Sequence, residues 1–332
     1  MKVLVTCPPM LGMLDVFVPR FRESGIEVVA AEVSQQLSEE ELLKCVPEVE
    51  GWIIGDDPAT RAVFEAGQRG HLRAAVKWGV GVDNVDFDAA RDLGIPVANT
   101  PGMFGAEVAD VALGYLIGLS RELFAIDRAV RGGDWAKPRG RSLAGKRVAL
   151  VGFGDIGRAL ARRLLALEMQ VAAYDPVFEA PSGYSMPVGL EAVEVASWPQ
   201  GIEQADFLVF TCALTSANRH MLDAALLDRS KPGLCVVNVS RGPLIDEPAL
   251  AEALELGRVR AAALDVFEEE PLACASPLRE LGARVVFGSH NASNTEEAVL
   301  RASYRAIDLL CGFLGVGPEA RASAGERSGD RR

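Results

Sequence analysis

The chain reads as an α/β protein built from two doubly wound parallel-sheet domains, one inserted within the other. Three observations predict this. Short β-branched runs alternate with amphipathic stretches over residues 1–98, a spacing that gives a parallel sheet with helices on both faces. A second alternating block runs from Arg147 to about His290, after a helical stretch and a polar loop. One more helix then runs to about Leu314 and rejoins the first block. With 332 residues, 49% of them apolar, the chain is long enough to bury two cores.

In order, Lys2–Thr6 reads as a strand, 11–24 as a helix, and Glu27–Val33 as a strand. Ser38, with Glu41 three residues on, is a capping box opening a helix to Cys45. Gly51–Ile54 is a buried-strand candidate, Ala59–Ala66 a helix and Ala74–Trp78 another strand. The texture changes at the turn cluster Asn99–Thr100–Pro101–Gly102. A mostly apolar helix over 105–130 then ends at Arg131–Gly132–Gly133, and Asp134–Lys146 is a polar loop. We therefore expect one domain from 1–98 and 292–314, and a second from 99–291. Residues 315–332 form a polar tail with little to bury, expected to be disordered. A cleft between two such domains is a favoured ligand position.

Bulk composition excludes several function classes. Lys and Arg total 34 against 46 Asp and Glu, a net charge of −12. An acidic surface argues against a nucleic-acid partner, though not against a small anionic substrate, which needs only local positive potential. Six cysteines lack any CxxC pairing and read as reduced thiols, with no disulfide frame and no metal site. The N-terminus lacks a signal-peptide layout. The most apolar helical stretch, 108–119, carries Asp110 and is too short to span a bilayer. No membrane partner is expected, and the cytoplasm is the expected location.

The strongest local signal lies between Lys146 and Asp175. A strand, Arg147–Val151, meets Gly152–Phe153–Gly154–Asp155–Ile156–Gly157, followed by a helix over Arg158–Leu167 and a strand, Gln170–Tyr174, ending at Asp175. Gly152 suits the tight turn, Gly154 a close approach of backbone to a pyrophosphate, and Gly157 close packing of helix on strand. The helix N-terminus with Asp155 and Ile156 supplies donors to the phosphates. Asp175, near the expected offset, can bind both ribose hydroxyls and repel a 2′-phosphate. Pro176, Val177 and Phe178 offer no cation to offset it. NAD is the expected cofactor, on a Rossmann-like domain.

Histidine is scarce: His71, His220 and His290. His71 reads as a solvated loop residue and His220 as structural. His290 follows the strand Arg284–Phe287, and Arg241 follows the strand Leu234–Val239. Both stand at strand tips, where α/β sheets carry function.

Several stretches together resemble the D-isomer-specific 2-hydroxyacid dehydrogenase family, closest to its short phosphoglycerate dehydrogenase-like members. They are Gly79–Asp86, Asn99–Gly102, Val151–Gly157, Asn238–Leu250, Ala263–Pro271 and Ser289–Ala298, in the family's order over roughly residues 50–312. The resemblance implies a flavodoxin-like substrate domain carrying the Rossmann-like insertion. It implies an enzyme that moves hydride between NAD and C2 of a small D-2-hydroxy acid, possibly phosphorylated or phosphonylated, or its 2-keto partner. Arg241 matches the arginine that grips the substrate carboxylate and keto oxygen. His290 matches the acid–base, and Glu270 the carboxylate that stabilises its imidazolium. Asp265 matches the residue beside the nicotinamide carboxamide, and the N–H groups around Val80 and Gly81 the loop holding the carboxylate. Cys212, Ala213 and Val239 match further cofactor-side positions. The apolar stretch 105–130 resembles the family's dimer helix, implying a homodimer.

Departures are few. Ala213 stands where the family often has proline, which loosens that turn, and Asp110 replaces a common glutamate. No regulatory domain is expected after residue 314. Glu268 and Glu269 read as a solvated acidic patch. Lys77, Lys137, Arg139 and Arg141 are candidate partners for a second anion, though each reads first as a surface charge. The alternative reading is an NAD(H)-sensing binding protein of the corepressor type on the same scaffold.

Overall fold

Strands β1 (Lys2–Val5), β2 (Glu27–Ala30), β3 (Gly51–Ile54), β4 (Ala74–Lys77) and β5 (Val97–Asn99) pair in the order β2-β1-β3-β4-β5. Every pairing is parallel. This sheet belongs to the first of two units, formed by Met1–Met103 with the chain from Asn294 on; Phe104–Ser293 form the second. The computed structural model describes residues 1–179 and 183–317. The central strands β3 and β4 are buried at every position, as a sheet covered on both faces requires. Around Trp52, Phe64, Leu42 and Val63, all fully buried, the helices of one face close the core.

The helix read over 11–24 is two. A single turn, Pro8–Leu11, follows β1, and Leu14–Glu23 follows it. Pro8 and Pro9 lack N–H groups that a first turn leaves unbonded anyway, so the CPPML stretch packs Cys7 and Met10 into the core. The capping box at Ser38 and Glu41 forms with both bonds present. The helix over 59–66 starts later, at Arg61, because the Thr60 hydroxyl caps it, and continues to Arg69.

The terminal helix, Glu296–Leu314, is part of the first unit. Trp78 donates its indole N–H to Ser303 Oγ (3.0 Å), and Arg20 pairs with Asp308 at 2.7 Å. Gly315 ends the helix in the left-handed region (φ 68°), and Val316 N–H bonds to Cys311 carbonyl at 2.9 Å. The predicted tail therefore does not begin at 315; its remainder, from 318, lies outside the described residues.

In the second unit, β6 (Arg147–Val151), β7 (Gln170–Tyr174), β8 (Glu194–Val195), β9 (Phe207–Phe210), β10 (Leu234–Asn238), β11 (Val259–Leu264) and β12 (Val285–Phe287) form one parallel sheet. Their order is β12-β11-β10-β9-β6-β7-β8. Strand order reverses between β6 and β9, the point where doubly wound sheets bind dinucleotides at their carboxyl ends. The two sheets match the predicted fold class.

The long helix predicted over 105–130 breaks. Gly105–Arg121 and Leu123–Arg131 are separate helices joined at Glu122, which is left-handed (φ 56°). The Phe124 ring folds back on Gly118, where a Cβ would lie 2.2 Å from Cε2, and Glu122 pairs with Arg260 at 2.7 Å. A tertiary contact thus overrides a continuous helical pattern.

Candidate active site

After β6 the chain turns through Gly152, Phe153 and Gly154 into the helix Asp155–Ala166. Gly152 has φ 97°, and a Cβ there would sit 2.5 Å from the Cys212 nitrogen. A Cβ on Gly157 would come within 2.1 Å of the Gly152 carbonyl oxygen. Nothing lies within 4 Å of a Cβ placed on Gly154. Two glycines therefore close the turn on protein, and the third faces open space. The helix begins three residues earlier than its periodicity suggested, with Gly154 as N-cap and no side-chain cap. The N–H groups of its first turn, from Asp155 to Gly157, carry the positive end of the helix. The Asp155 carboxylate packs against Gly105.

Asp175 stands at the tip of β7, beside the turn. Its carboxylate accepts the Phe153 N–H at 2.7 Å and the Val177 N–H at 2.9 Å. On the other side, at the tip of β9, the Thr211 hydroxyl donates to the Gly152 carbonyl at 2.9 Å. Ala213 does not loosen its loop as expected. Asn218 bridges it, donating to the Ala213 carbonyl (2.8 Å) and accepting the Thr215 N–H (2.7 Å). Two side-chain bonds replace the rigidity that a proline ring would bring. Burial pushes the Cys212 thiol up to about 12, so it is a neutral apolar surface here. Ser240 Oγ donates to the Cys212 carbonyl, and buried Val239 follows β10. An open turn, a positive helix end and a carboxylate at the rim fit a dinucleotide.

The predicted catalytic residues follow three neighbouring strands. Adjacent strands lie about 4.8 Å apart, so the tips of β10 and β12 stand two strand spacings, roughly 10 Å, from one another. Arg241 follows β10 in extended conformation. Asn238 fixes its backbone: the side chain accepts the Ser240 N–H at 3.0 Å and donates to the Arg241 carbonyl at 2.8 Å. Asp265, buried at the tip of β11, accepts the Ala292 N–H at 2.9 Å. Its backbone carbonyl accepts the His290 N–H at 2.6 Å. These bonds hold His290 in the left-handed region (φ 54°), rare for a residue with a side chain.

His290 Nδ1 then meets Glu270 Oε2 at 2.7 Å, and the other Glu270 oxygen accepts the Phe267 N–H at 2.9 Å. The two side chains are 24% and 20% exposed, accessible to a ligand but not surrounded by water. A carboxylate acceptor at Nδ1 selects the tautomer that donates from that nitrogen. Glu268 is not the solvated charge its sequence suggested. It is 23% exposed and bonds His220 Nε2 at 2.9 Å; Glu269 is exposed as expected.

Val80 and Gly81 belong to the first unit, on the loop after β4. Gly79 N–H donates to Thr100 Oγ1 at 2.9 Å, and Asn99 Nδ2 donates to the Val80 carbonyl at 3.1 Å. Lys77 is no surface charge: it is 2% exposed and pairs with Asp56 at 3.0 Å. Lys137, Arg139 and Arg141 are exposed.

Sequence reasoning missed Asn218, Asn238, Glu268 and Tyr115. Asn218 sits in a loop and Asn238 ends β10 at the turn that follows, places where Asx turns are frequent, a signal available in sequence. Tyr115 gave none; its hydroxyl lies 3.4 Å from Asp265 Oδ1 and is pushed upward in pKa by burial and by that charge. Among the described residues no cluster of three His, Cys, Asp or Glu could hold a metal.

The model of the D-isomer specific 2-hydroxyacid dehydrogenase NAD binding domain matches residues 113–292. A hydroxypyruvate reductase of Thermotoga maritima is 34% identical over 85% of this chain and 90% of its own length. A D-3-phosphoglycerate dehydrogenase of Archaeoglobus fulgidus is 34% identical over 90% of this chain and 55% of its own. The chain thus spans about half the length of that relative. Among solved structures, the TT0316 protein from Thermus thermophilus superposes with TM-score 0.81 and 30% identity, covering 95% and 97% of the two chains. The apo-structure of D-lactate dehydrogenase from Escherichia coli does so at 0.78 and 29%, covering 93% and 95%.

Proposed function

The chain belongs to the D-isomer-specific 2-hydroxyacid dehydrogenase family, NAD-dependent oxidoreductases, and from that premise we propose how its residues divide the work. NAD, when bound, exchanges hydride with C2 of the substrate. The first-turn N–H groups of Asp155, Ile156 and Gly157 and the open face of Gly154 hold the pyrophosphate. Asp175 binds the adenosine ribose, with Cys212, Ala213 and Val239 lining the turn and Asp265 meeting the carboxamide.

Arg241 orients the substrate carboxylate and polarises the C2 oxygen with its planar fork. His290, oriented through Nδ1 by Glu270, exchanges the hydroxyl proton through Nε2. The Glu270 carboxylate beside Nδ1 favours electrostatically the imidazolium that forms. Val80 and Gly81, in the substrate-binding unit, offer backbone N–H groups to the carboxylate. The contact between Glu270 and His290 carries this reading.

The substrate we favour has an uncharged tail. Lys77, a candidate cation at the strand tips of the first unit, is already compensated by Asp56. A hydroxypyruvate-type 2-keto acid fits this better than a phosphorylated one. Relatives named as reductases and dehydrogenases lend the NAD(H)-sensing alternative no support.

A homodimer is the proposed assembly. The helix Leu123–Arg131 has no buried residue, and Leu123, Phe124 and Val130 are exposed, as is Trp135 at 75%. Such an apolar face suits a second copy. Six free cysteines suit a reducing, cytoplasmic location.

The test is NADH oxidation by purified protein against 2-keto acids with neutral and anionic tails. Turnover with neutral tails preferred is expected. No turnover across the panel would sink the enzymatic assignment, and a monomer in light scattering the dimer.

A further inference from the structure

We infer that His220 and Glu268 form a brace that positions Arg241, a role no motif on this chain assigns. This rests on the assignment of Arg241 to substrate. Arg241 lies on a short connection, Gly242–Leu244 being a single 3-10 turn before the helix Glu247–Glu255. Asn238 secures the start of that connection. Its remainder is closed by two other segments of the same unit.

The segment around His220 holds the outer side. His220 N–H donates to the Pro243 carbonyl at 2.8 Å, and Leu222 N–H to the Leu244 carbonyl at 3.1 Å. The segment after β11 holds the inner side. Gly242 lies so close to it that a Cβ would fall 1.8 Å from the Phe267 carbonyl carbon and 2.4 Å from the Glu268 nitrogen.

One side chain joins the two. His220 Nε2 lies 2.9 Å from Glu268 Oε2, which Arg219 also approaches at 3.2 Å. The other Glu268 oxygen accepts the Glu247 N–H at 3.2 Å, and Glu268 N–H donates to Glu247 at 2.6 Å. A ring of contacts from His220 through Glu268 and Glu247 therefore encircles Gly242–Pro243. Glu268 is two residues from Glu270, so the same ring steadies both halves of the site.

His220 is left-handed at φ 52°. For a residue with a Cβ this costs stability and is kept where the surroundings require it. Its backbone N–H and its ring are both used on the brace, which gives the conformation a reason. A histidine held only by packing would need neither bond.

The experiment measures steady-state kinetics of His220→Ala, His220→Gln and Glu268→Gln with NADH and a 2-keto acid that the wild type reduces. Glutamine at 220 can still donate toward Glu268. A hydrogen bond to a charged group is worth on the order of tenfold or more in an equilibrium constant, which sets the size of the effect expected if the brace positions Arg241. We expect His220→Ala to raise KM for the keto acid about tenfold, with KM for NADH near wild type and only a modest fall in melting temperature. His220→Gln should restore most of the loss. In an Arg241→Ala background, His220→Ala should have no further effect on KM, because nothing is left to position.

Equal effects on both KM values, or full additivity with Arg241→Ala, would overturn the brace. If His220→Ala does not fold, His220→Gln and Glu268→Gln carry the comparison: a wild-type KM in Glu268→Gln overturns it. Failure of the wild type to reduce any keto acid would instead remove the role of Arg241 itself.

Discussion

Glu270 Oε2 stands 2.7 Å from His290 Nδ1 although the residues leave different strands, β11 and β12. The pair depends on two further bonds, Phe267 N–H to Glu270 and His290 N–H to the Asp265 carbonyl. A carboxylate held this way orients the imidazole and stabilises its charged form. Replacing the acid–base, His290→Asn, should lower kcat by roughly 10²–10⁴-fold, the usual worth of general acid–base catalysis. Glu270→Gln should lower it less, because Nδ1 still meets an oxygen. Stopped-flow and steady-state rates check both; near-normal turnover by His290→Asn would remove the assignment.

Arg241 offers two parallel donors that lysine cannot reproduce. Arg241→Ala should reduce kcat/KM for the keto acid about 10²–10³-fold, as loss of a transition-state donor does elsewhere. Arg241→Lys should recover only part, since a point charge lacks the planar fork. Recovery to wild type would mean that charge alone suffices.

Asp175 is the residue we propose to decide cofactor choice. Losing a charge-assisted bond costs about 1.5–3 kcal/mol, so Asp175→Ala should raise KM for NADH roughly tenfold to hundredfold. It should also narrow the preference over NADPH, whose 2′-phosphate the carboxylate repels. Unchanged preference would place the ribose elsewhere.

The glycines make opposite predictions. Gly157→Ala forces a Cβ against the Gly152 carbonyl, and overpacking of this kind costs about 1–3 kcal/mol. The melting temperature and NAD binding should fall together. Gly154→Ala meets open space, so it should keep the melting temperature while weakening NAD, read by calorimetry. Loss of stability at Gly154 would contradict an open turn.

Asp206 links stability to pH. Burial pushes its carboxyl up, but Lys231 at 2.7 Å and the Arg147 N–H at 3.0 Å together hold it below the usual carboxylate value. A depressed carboxyl stabilises above its unfolded pKa and loses that contribution as pH falls through its folded value. Asp206→Asn should therefore cost about 1 kcal/mol at neutral pH, less than a fully buried charge-assisted bond because solvent screens the half-exposed Lys231. The deficit should shrink below about pH 4, near the carboxyl's unfolded pKa. A deficit independent of pH, by urea unfolding, would mean the ion pair contributes nothing.

Element type was legible wherever a local pattern dominated. The strands β1, β3, β4, β6 and β7 and the capping box at Ser38 stand where β-branched runs and cap chemistry placed them. Boundaries failed where a packing contact or a cap that periodicity does not register intervened. Phe124 against Gly118 breaks the helix at Glu122, and the helix after the glycine turn starts at Asp155 because Gly154 can cap it. The misreadings of Lys77 and Glu268 as surface charges share a cause. A charged residue is buried only when its partner arrives, and Asp56 and His220 arrive from elsewhere in the chain.

By itself the sequence determined two parallel sheets, a glycine turn followed by an acid at Asp175, and the identities of Arg241, Glu270 and His290. The sheets, the turn and the acid rest on period, spacing and residue chemistry, which are properties of neighbours along the chain. Arg241, Glu270 and His290 are singled out instead by the resemblance to the family's motifs. Only the tertiary structure decided that Glu270 engages Nδ1 of His290, that Asn218 secures the Ala213 loop, and that His220 reaches Glu268. The first and last of those contacts join loops at the tips of different strands, so their meeting depends on the order in which the strands pair in space, while the Asn218 bonds close within one loop.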